Sequence, residues 1–230
     1  MPIIISGSTG ISGVDGTASS PAIQGADTNT GVFYPAADQV AIATGGVQRL
    51  LVDASGNATL TGTLQVGGVA AAMYPLVSGT AVASTSGTSI DFTSIPSWVK
   101  RVTIMFNGVS TNGTSNIQVQ VGSGSFSTTS YLSSVAVING GTSQAGSTTG
   151  IIVTNGLAAA NNFSGLITFA LIASNQWVAS GNTQHSTATG AMFMAAGYTP
   201  ALANVLDRVR ITTVGGTDTF DAGSINILYE

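Results

Sequence analysis

Ser164-Gly165-Leu166-Ile167-Thr168-Phe169-Ala170-Leu171-Ile172-Ala173, then Ser174-Asn175, then Gln176-Trp177-Val178-Ala179-Ser180-Gly181-Asn182-Thr183-Gln184 is the stretch that decides the fold class. Each flanking run is rich in β-branched and aromatic residues, lacks Pro, and is about as long as one strand. The two small polar residues between them form a candidate tight hairpin. Outward from this pair, strand signals recur at 89–92, 100–107, 116–122, 131–138, 150–154, 190–197, 205–213 and 224–229. Turn formers separate them: Thr111-Asn112-Gly113-Thr114, Asn139-Gly140-Gly141, Asn155-Gly156 and Gly215-Gly216. That spacing predicts an antiparallel β-sandwich, jelly-roll-like in type. The best helix signal is Pro200 to Asp207, where Pro sits at an N1-like position; one or two turns are expected there.

Upstream, Met1 to Tyr74 reads as shorter extended pieces: 2–5, 22–25, 32–34, 39–43, 47–52 and 58–66. Several alternate apolar and polar residues, the period of a half-buried strand. Asn29-Thr30-Gly31, Gly45-Gly46 and Ser55-Gly56-Asn57 punctuate them. Roughly 70 residues of such pieces bury too little surface to stand alone, so association of three copies around one axis is expected. No heptads support a coiled coil, which leaves an extended β-shaft. Gly67-Gly68 and Ala70-Ala71-Ala72 read as a linker or a tight inter-subunit contact, and Tyr74-Pro75 as a boundary. The expected division is residues 1–74 for the shaft and 75–230 for a C-terminal β-sandwich head.

Composition supports an all-β assembly. Of 230 residues, 43% are hydrophobic but only 6% are charged, against roughly 25% in an ordinary domain. Few surface charges on a chain of mean hydropathy +0.40 suggest that other subunits cover part of its surface. The chain has 30 Gly and no Cys, which removes disulfides, Cys-based zinc sites and thiol nucleophiles. Five bases against nine acids argue against a nucleic-acid partner. Apolar runs stop well short of roughly 18 residues, so no membrane insertion is expected, and residues 1–10 lack the features of a signal peptide.

Chemical constellations are sparse. His185 is the only His, and no Gly-x-Ser-x-Gly elbow accompanies the many Ser and Thr, so no catalytic residue is assigned. Three copies of His185 meeting on an axis could hold a metal, but no second ligand type is adjacent and no metal site is assigned. Asp218 and Asp221 could converge in a turn as a carboxylate pair, although turn bonding to the backbone is the plainer reading. Asp27-Thr28-Asn29-Thr30-Gly31 is similar to the start of a calcium loop without its downstream Glu, and reads as an Asx turn. Neither phosphate-loop pattern is present, and no cofactor is expected. Arg208 and Arg210 share one strand face and are candidates for meeting an anionic sugar, although pairing with Asp207, Asp218 or Asp221, or a place at a subunit interface, is the plainer reading. By type Trp98 and Trp177 are the candidate sugar-stacking platforms; Trp98 is assigned to core or interface, and Trp177 follows Ser174-Asn175 and could lie near an exposed tip, although a packed aromatic is the commoner outcome.

Four stretches carry a resemblance. The segment from Asp27 to Ile42, DTNTGVFYPAADQVAI, and the segment from Arg49 to Asn57, RLLVDASGN, resemble a structural repeat on the shafts of phage tail-fibre proteins. Residues 95–103, IPSWVKRVT, and 220–230, FDAGSINILYE, are similar to the terminal domain of related phage fibre proteins. The resemblance implies a homotrimeric virion appendage made in the bacterial host cytoplasm. Its N-terminal region would dock on other virion proteins, of tail, baseplate or capsid, and its distal head would contact host-surface polysaccharide. The short shaft keeps a head-fibre, collar or decoration protein open beside a short tail fibre. A small tail-spike depolymerase is the remaining alternative, and no enzymatic activity is expected.

Overall fold

Apolar side chains at every second position give a strand two unlike faces, and the strands at 40–44, 89–93, 132–138, 176–185 and 192–198 follow that period. The computed structural model describes residues 4–6, 10–66, 69–70, 75–138, 142–159, 161–186 and 191–230. Among them are twenty-five strands, all paired antiparallel, and no helix. The chain divides into two compact units, Met1–Met73 and Tyr74–Glu230.

The first unit is built from very short strands. Hairpins join β1 (Ile4–Ser6) to β2 (Gly10–Ser12), β3 (Gly16–Thr17) to β4 (Ser20–Pro21), and β10 (Gln65–Val66) to β11 (Val69–Ala70). Its main sheet is a meander of β5 (Ile23–Gln24), β6 (Gly31–Phe33), β7 (Val40–Thr44), β8 (Val47–Val52) and β9 (Ala58–Leu60). The turns are held by side chains. Before β6, Asp27 accepts the Thr30 hydroxyl at 2.7 Å and the Asn29 amide at 3.4 Å, so the Asx turn forms. Between β8 and β9, Asp53 accepts the Ser55 and Asn57 amides, both at 2.9 Å. The Asn57 side chain is foremost in holding the Asp53 carboxyl below its usual range.

The second unit is a two-sheet structure. The larger sheet runs β12 (Val77–Ser78), β25 (Phe220–Tyr229), β15 (Arg101–Thr111), β21 (Phe163–Ala173), β22 (Gln176–His185), β23 (Met192–Tyr198), β18 (Leu132–Ile138), β19 (Thr142–Ser147), with β13 (Val82–Ala83) also on β25. The smaller sheet runs β14 (Ser89–Thr93), β24 (Arg208–Thr213), β16 (Ile117–Ser123), β17 (Ser125–Phe126), with β20 (Ile151–Ile152) beside β16. Inward residues of both sheets form one core, from Ile90, Val119 and Ile211 of the small sheet to Ile104, Phe169 and Phe193 of the large one. At the β21–β22 hairpin, Ser174 and Asn175 both have positive φ, 48° and 59°, the backbone a two-residue turn needs to match strand twist.

A line of irregularity crosses the large sheet. The β15 register shifts between Phe106 and Val109 against β21, and between Asn107 and Ser110 against β25. Gly108 and Gly223 meet there at φ 62° and 91°. A Cβ on Gly223 would stand 2.4 Å from the Gly108 carbonyl oxygen. Gly223→Ala is therefore expected to cost about 3 kcal/mol, from a left-handed backbone plus a backbone clash. Gly216→Ala, at φ 67° with nothing within 4 Å, should cost about 1 kcal/mol. Urea unfolding midpoints of the two variants measure the difference.

The interior also carries a phenol. Tyr131, fully packed, accepts the Val121 amide at 2.9 Å and donates to the Ser127 carbonyl at 3.0 Å. Burial pushes its pKa up from 10.0 to about 12, against the pull of those partners. The unfolded chain loses this proton near pH 10 while the folded chain keeps it. Stability is thus intact below pH 10 and falls between pH 10 and 12, by up to about 3 kcal/mol. In Tyr131→Phe that alkaline loss should vanish, whereas the cost of the unpaired Val121 amide persists at every pH. Denaturant titrations from pH 8 to 12 test it.

One expectation of secondary structure needs correction, and one strand has no signal in the sequence. Residues 200–207 are irregular, with a bend at 203–205 and no helix. Their donors are used by strands and loops elsewhere: Leu202 N reaches the Asn175 carbonyl, and Asp207 N the Gly122 carbonyl. Leu202 and Leu206 are drawn into the core, so tertiary packing overrides the helical signal. Conversely, β19, TSQAGS, has no apolar alternation, yet it pairs along β18 from Ser133↔Ser147 to Ile138↔Thr142. The turn reading of Asn139-Gly140-Gly141 and the linker reading of Gly67-Gly68 lie outside the described residues.

Candidate functional site

Arg208 and Arg210 lie two apart on β24, so their side chains share the outer face of the small sheet. Register places Arg210 between Asp91 of β14 and Gln120 of β16, and Arg208 between Thr93 and Gly122. Arg210 grips Asp91 with two bonds of 2.8 and 2.6 Å. Arg208 holds the neighbouring Asp207 at 2.7 and 3.2 Å, and the Gly124 amide donates to the same carboxylate. Phe126 completes the cluster, its ring centroid 4.1 Å from the Arg210 guanidinium carbon and 5.7 Å from that of Arg208. Both distances are within cation–π range.

These contacts set the charge states. The hydrogen bond from Arg208 is the main cause holding the Asp207 carboxyl below its usual range. The bonds to Asp207 and Asp91 raise the two guanidinium groups in turn. Each Arg is already matched by a bidentate carboxylate, the strong mode for this side chain. An anionic sugar would have to displace a carboxylate to gain the same bonds. Asp91, the partner of Arg210, lies 119 residues away in sequence. Its only sequence signal is an outward position in the alternating run Ser89-Ile90-Asp91-Phe92.

The other candidates take structural places. Trp177 is 2% exposed and sits in the core, with its amide on Thr199 Oγ1 at 3.1 Å. It presents no ring to solvent, which corrects the stacking-platform reading. His185 is likewise buried, edge-on to Phe193 at 5.9 Å; burial lowers its pKa. An inward ring cannot meet two copies at an axis. Asp218 accepts the Ser115 amide at 2.8 Å, and Asp221 accepts the Ser110 hydroxyl, so each carboxylate ties its segment to a different one more than a hundred residues away in sequence, and the expected bonding to its own turn is not what holds it. Trp98 packs on the edge of the core, 6.0 Å from the Tyr229 ring. Among the described residues no group of three or more His, Asp or Glu is placed to hold a metal ion.

The more unusual surface is in the first unit. Ile23, Val32, Ile42, Leu50 and Leu60 stand in register across all five strands of the meander. Ile23, Ile42 and Leu60 are 50%, 41% and 49% exposed. The opposite face buries only Phe33, Ala41 and Ala43, with Ala18 and Leu51 against them. Thus the bulkier aliphatic face of this sheet is the one left in water. Removing it from water would contribute on the order of 5 kcal/mol per copy.

No family model, curated protein or solved structure matches the chain. The segments at 27–42, 49–57, 95–103 and 220–230 have definite places in the structure. The first two span the turn before β6 through the loop after β8. Residues 95–103 reach only the start of β15, and residues 220–230 contain β25, its neighbour in the large sheet, with Val102 opposite Tyr229.

Proposed function

We propose that this chain is a bacteriophage virion structural protein, a short homotrimeric tail fibre. The observation that carries the reading is the exposed aliphatic row from Ile23 to Leu60, on a sheet whose own core is little more than one Phe and two Ala. Three copies packing these rows together would supply the core each copy lacks. In this reading the first unit is the shaft and joins other virion proteins, and the second is a jelly-roll-like head offered to host-surface polysaccharide. Three heads on one tip multiply weak contacts into avidity. The resemblance of residues 27–42, 49–57, 95–103 and 220–230 to fibre segments supports the same class.

One observation favours a second reading, a head-fibre, collar or capsid decoration protein with no receptor. Trp177 is buried, and Arg208 and Arg210 are committed to carboxylates. A particle reconstruction that locates the chain, with binding of the purified protein to host cells, separates the two. Tail placement with binding supports the fibre. A capsid position without binding supports the decoration protein. Sedimentation of the native chain at three times 22.8 kDa is required by the trimer, and a folded single chain would overturn it.

A further inference from the structure

Three Asn-Gly pairs lie among the described residues: Asn107-Gly108, Asn112-Gly113 and Asn155-Gly156. A glycine leaves the amide nitrogen after each Asn unshielded by a side chain, so the pairs differ mainly in what that nitrogen holds. The Gly108 amide donates to Ser164 Oγ at 2.9 Å, and the Gly156 amide donates to Asn116 Oδ1 at 3.1 Å. The Gly113 amide has no hydrogen-bond partner among the described residues. In the same loop the Thr219 amide donates to Asn112 Oδ1 at 2.9 Å, and the Asn112 amide donates to the Thr219 carbonyl at 2.9 Å. Asn112 is exposed, and its Nδ2 has no partner among the described residues. The Asp218 carboxylate lies over Gly113, where a Cβ would overlap it, so no larger residue fits beside Asn112 unless Asp218 moves.

We propose that Asn112 is a self-modification site, at which the Gly113 amide nitrogen attacks the side-chain amide carbon. The bond from that nitrogen to Asn112 Cγ forms, the Cγ–Nδ2 bond breaks, and Nδ2 leaves as ammonia with the proton given up by the Gly113 amide. One water then opens the cyclic imide, at Cγ to give aspartate or at the main-chain carbonyl to give isoaspartate. Nothing is oxidised or reduced. Nucleophile and electrophile belong to adjacent residues, so their proximity is built in. Negative charge develops on Oδ1 as the nitrogen adds, and the Thr219 N–H already points at that oxygen. At the other two pairs a hydrogen bond must break before the nitrogen can attack. Asn112 closes the pairing of β15 with β25, next to Thr111↔Phe220. Aspartate there adds one negative charge beside Asp218, on a chain of formal charge −4. Isoaspartate lengthens the main chain and cannot keep both bonds to Thr219, so the end of this ladder frays.

The full chain is incubated at mildly alkaline pH, where Tyr131 keeps its proton, and conversion of amide to acid is followed at each pair by peptide mass analysis. Asn112 should convert at least about fivefold faster than Asn107 and Asn155, a barrier difference of about 1 kcal/mol. In urea the bonds to Ser164 and Asn116 are lost, and the three pairs should convert at similar rates. Asn112→Gln, whose longer side chain does not close the same ring, should remove the leading acidic species from the folded chain, with circular dichroism confirming the fold. An Asn112 that converts no faster than Asn107 or Asn155 in the folded chain overturns the inference. So does an Asn112→Gln chain that gains negative charge at the native rate. The same ordering in urea as in the folded chain would place its cause in the local sequence, and would overturn the part given to the hydrogen bonds.

Discussion

If the proposed trimer holds, Ile42→Asp is expected to reduce the mass from three times 22.8 kDa toward the single chain, or to weaken association at least about a hundredfold, which is about 2.7 kcal/mol. Ile42 is the middle of the aliphatic row, with Val32 on one side and Leu50 on the other. In an isolated copy its side chain is 41% exposed, so a carboxylate there would stay hydrated and cost the fold little. In the trimer, three carboxylates would be brought together and stripped of water without a cation, which is far more costly. Ala54→Asp, in the exposed loop between β8 and β9, is the control and should leave the mass unchanged. Sedimentation of both variants with circular dichroism reads assembly and fold separately. An Ile42→Asp chain that keeps the native mass would remove the row from the interface.

Trp177→Ala is expected to destabilise the second unit by about 4 kcal/mol, by loss of transfer free energy and by the cavity left behind. In a unit of this size that lowers the melting temperature by roughly 12 °C. Trp177 is among the largest fully buried side chains, opposite Leu171 at the tip of the β21–β22 hairpin. Its backbone is tied to Thr199 on both sides, by the amide to Oγ1 and by the carbonyl accepting the Thr199 amide at 2.8 Å. Any attachment to host cells should persist in the variant at temperatures where it remains folded. An unchanged melting temperature with lost attachment would be the signature of a surface platform, and would contradict the packing.

Much of the strand pattern was legible because its causes are local. Val47–Val52 is a strand in both the reading and the structure, and Ser174-Asn175 turns the chain as two small polar residues permit. The polar strand β19 was hidden, since its pairing is dictated by β18 and not by its own side chains. The site was less legible than the strands. That Arg208 and Arg210 share a face follows from the period of two. That Asp91 and Phe126 join them depends on which strands become neighbours.

By itself the sequence determined an all-β chain, low in charge, with turns at its Gly, Asn, Asp and Ser clusters, because φ preferences and side-chain alternation act over a few residues. It also determined that neighbours such as Trp177 and Val178, or Ala41 and Ile42, would point to opposite faces. Only the tertiary structure decided which of the two faces was inward. Burial depends on the opposing sheet, which is distant in sequence. That is how the indole came to be enclosed, and how the second pair was settled the other way, with Ala41 inside and the larger Ile42 facing water.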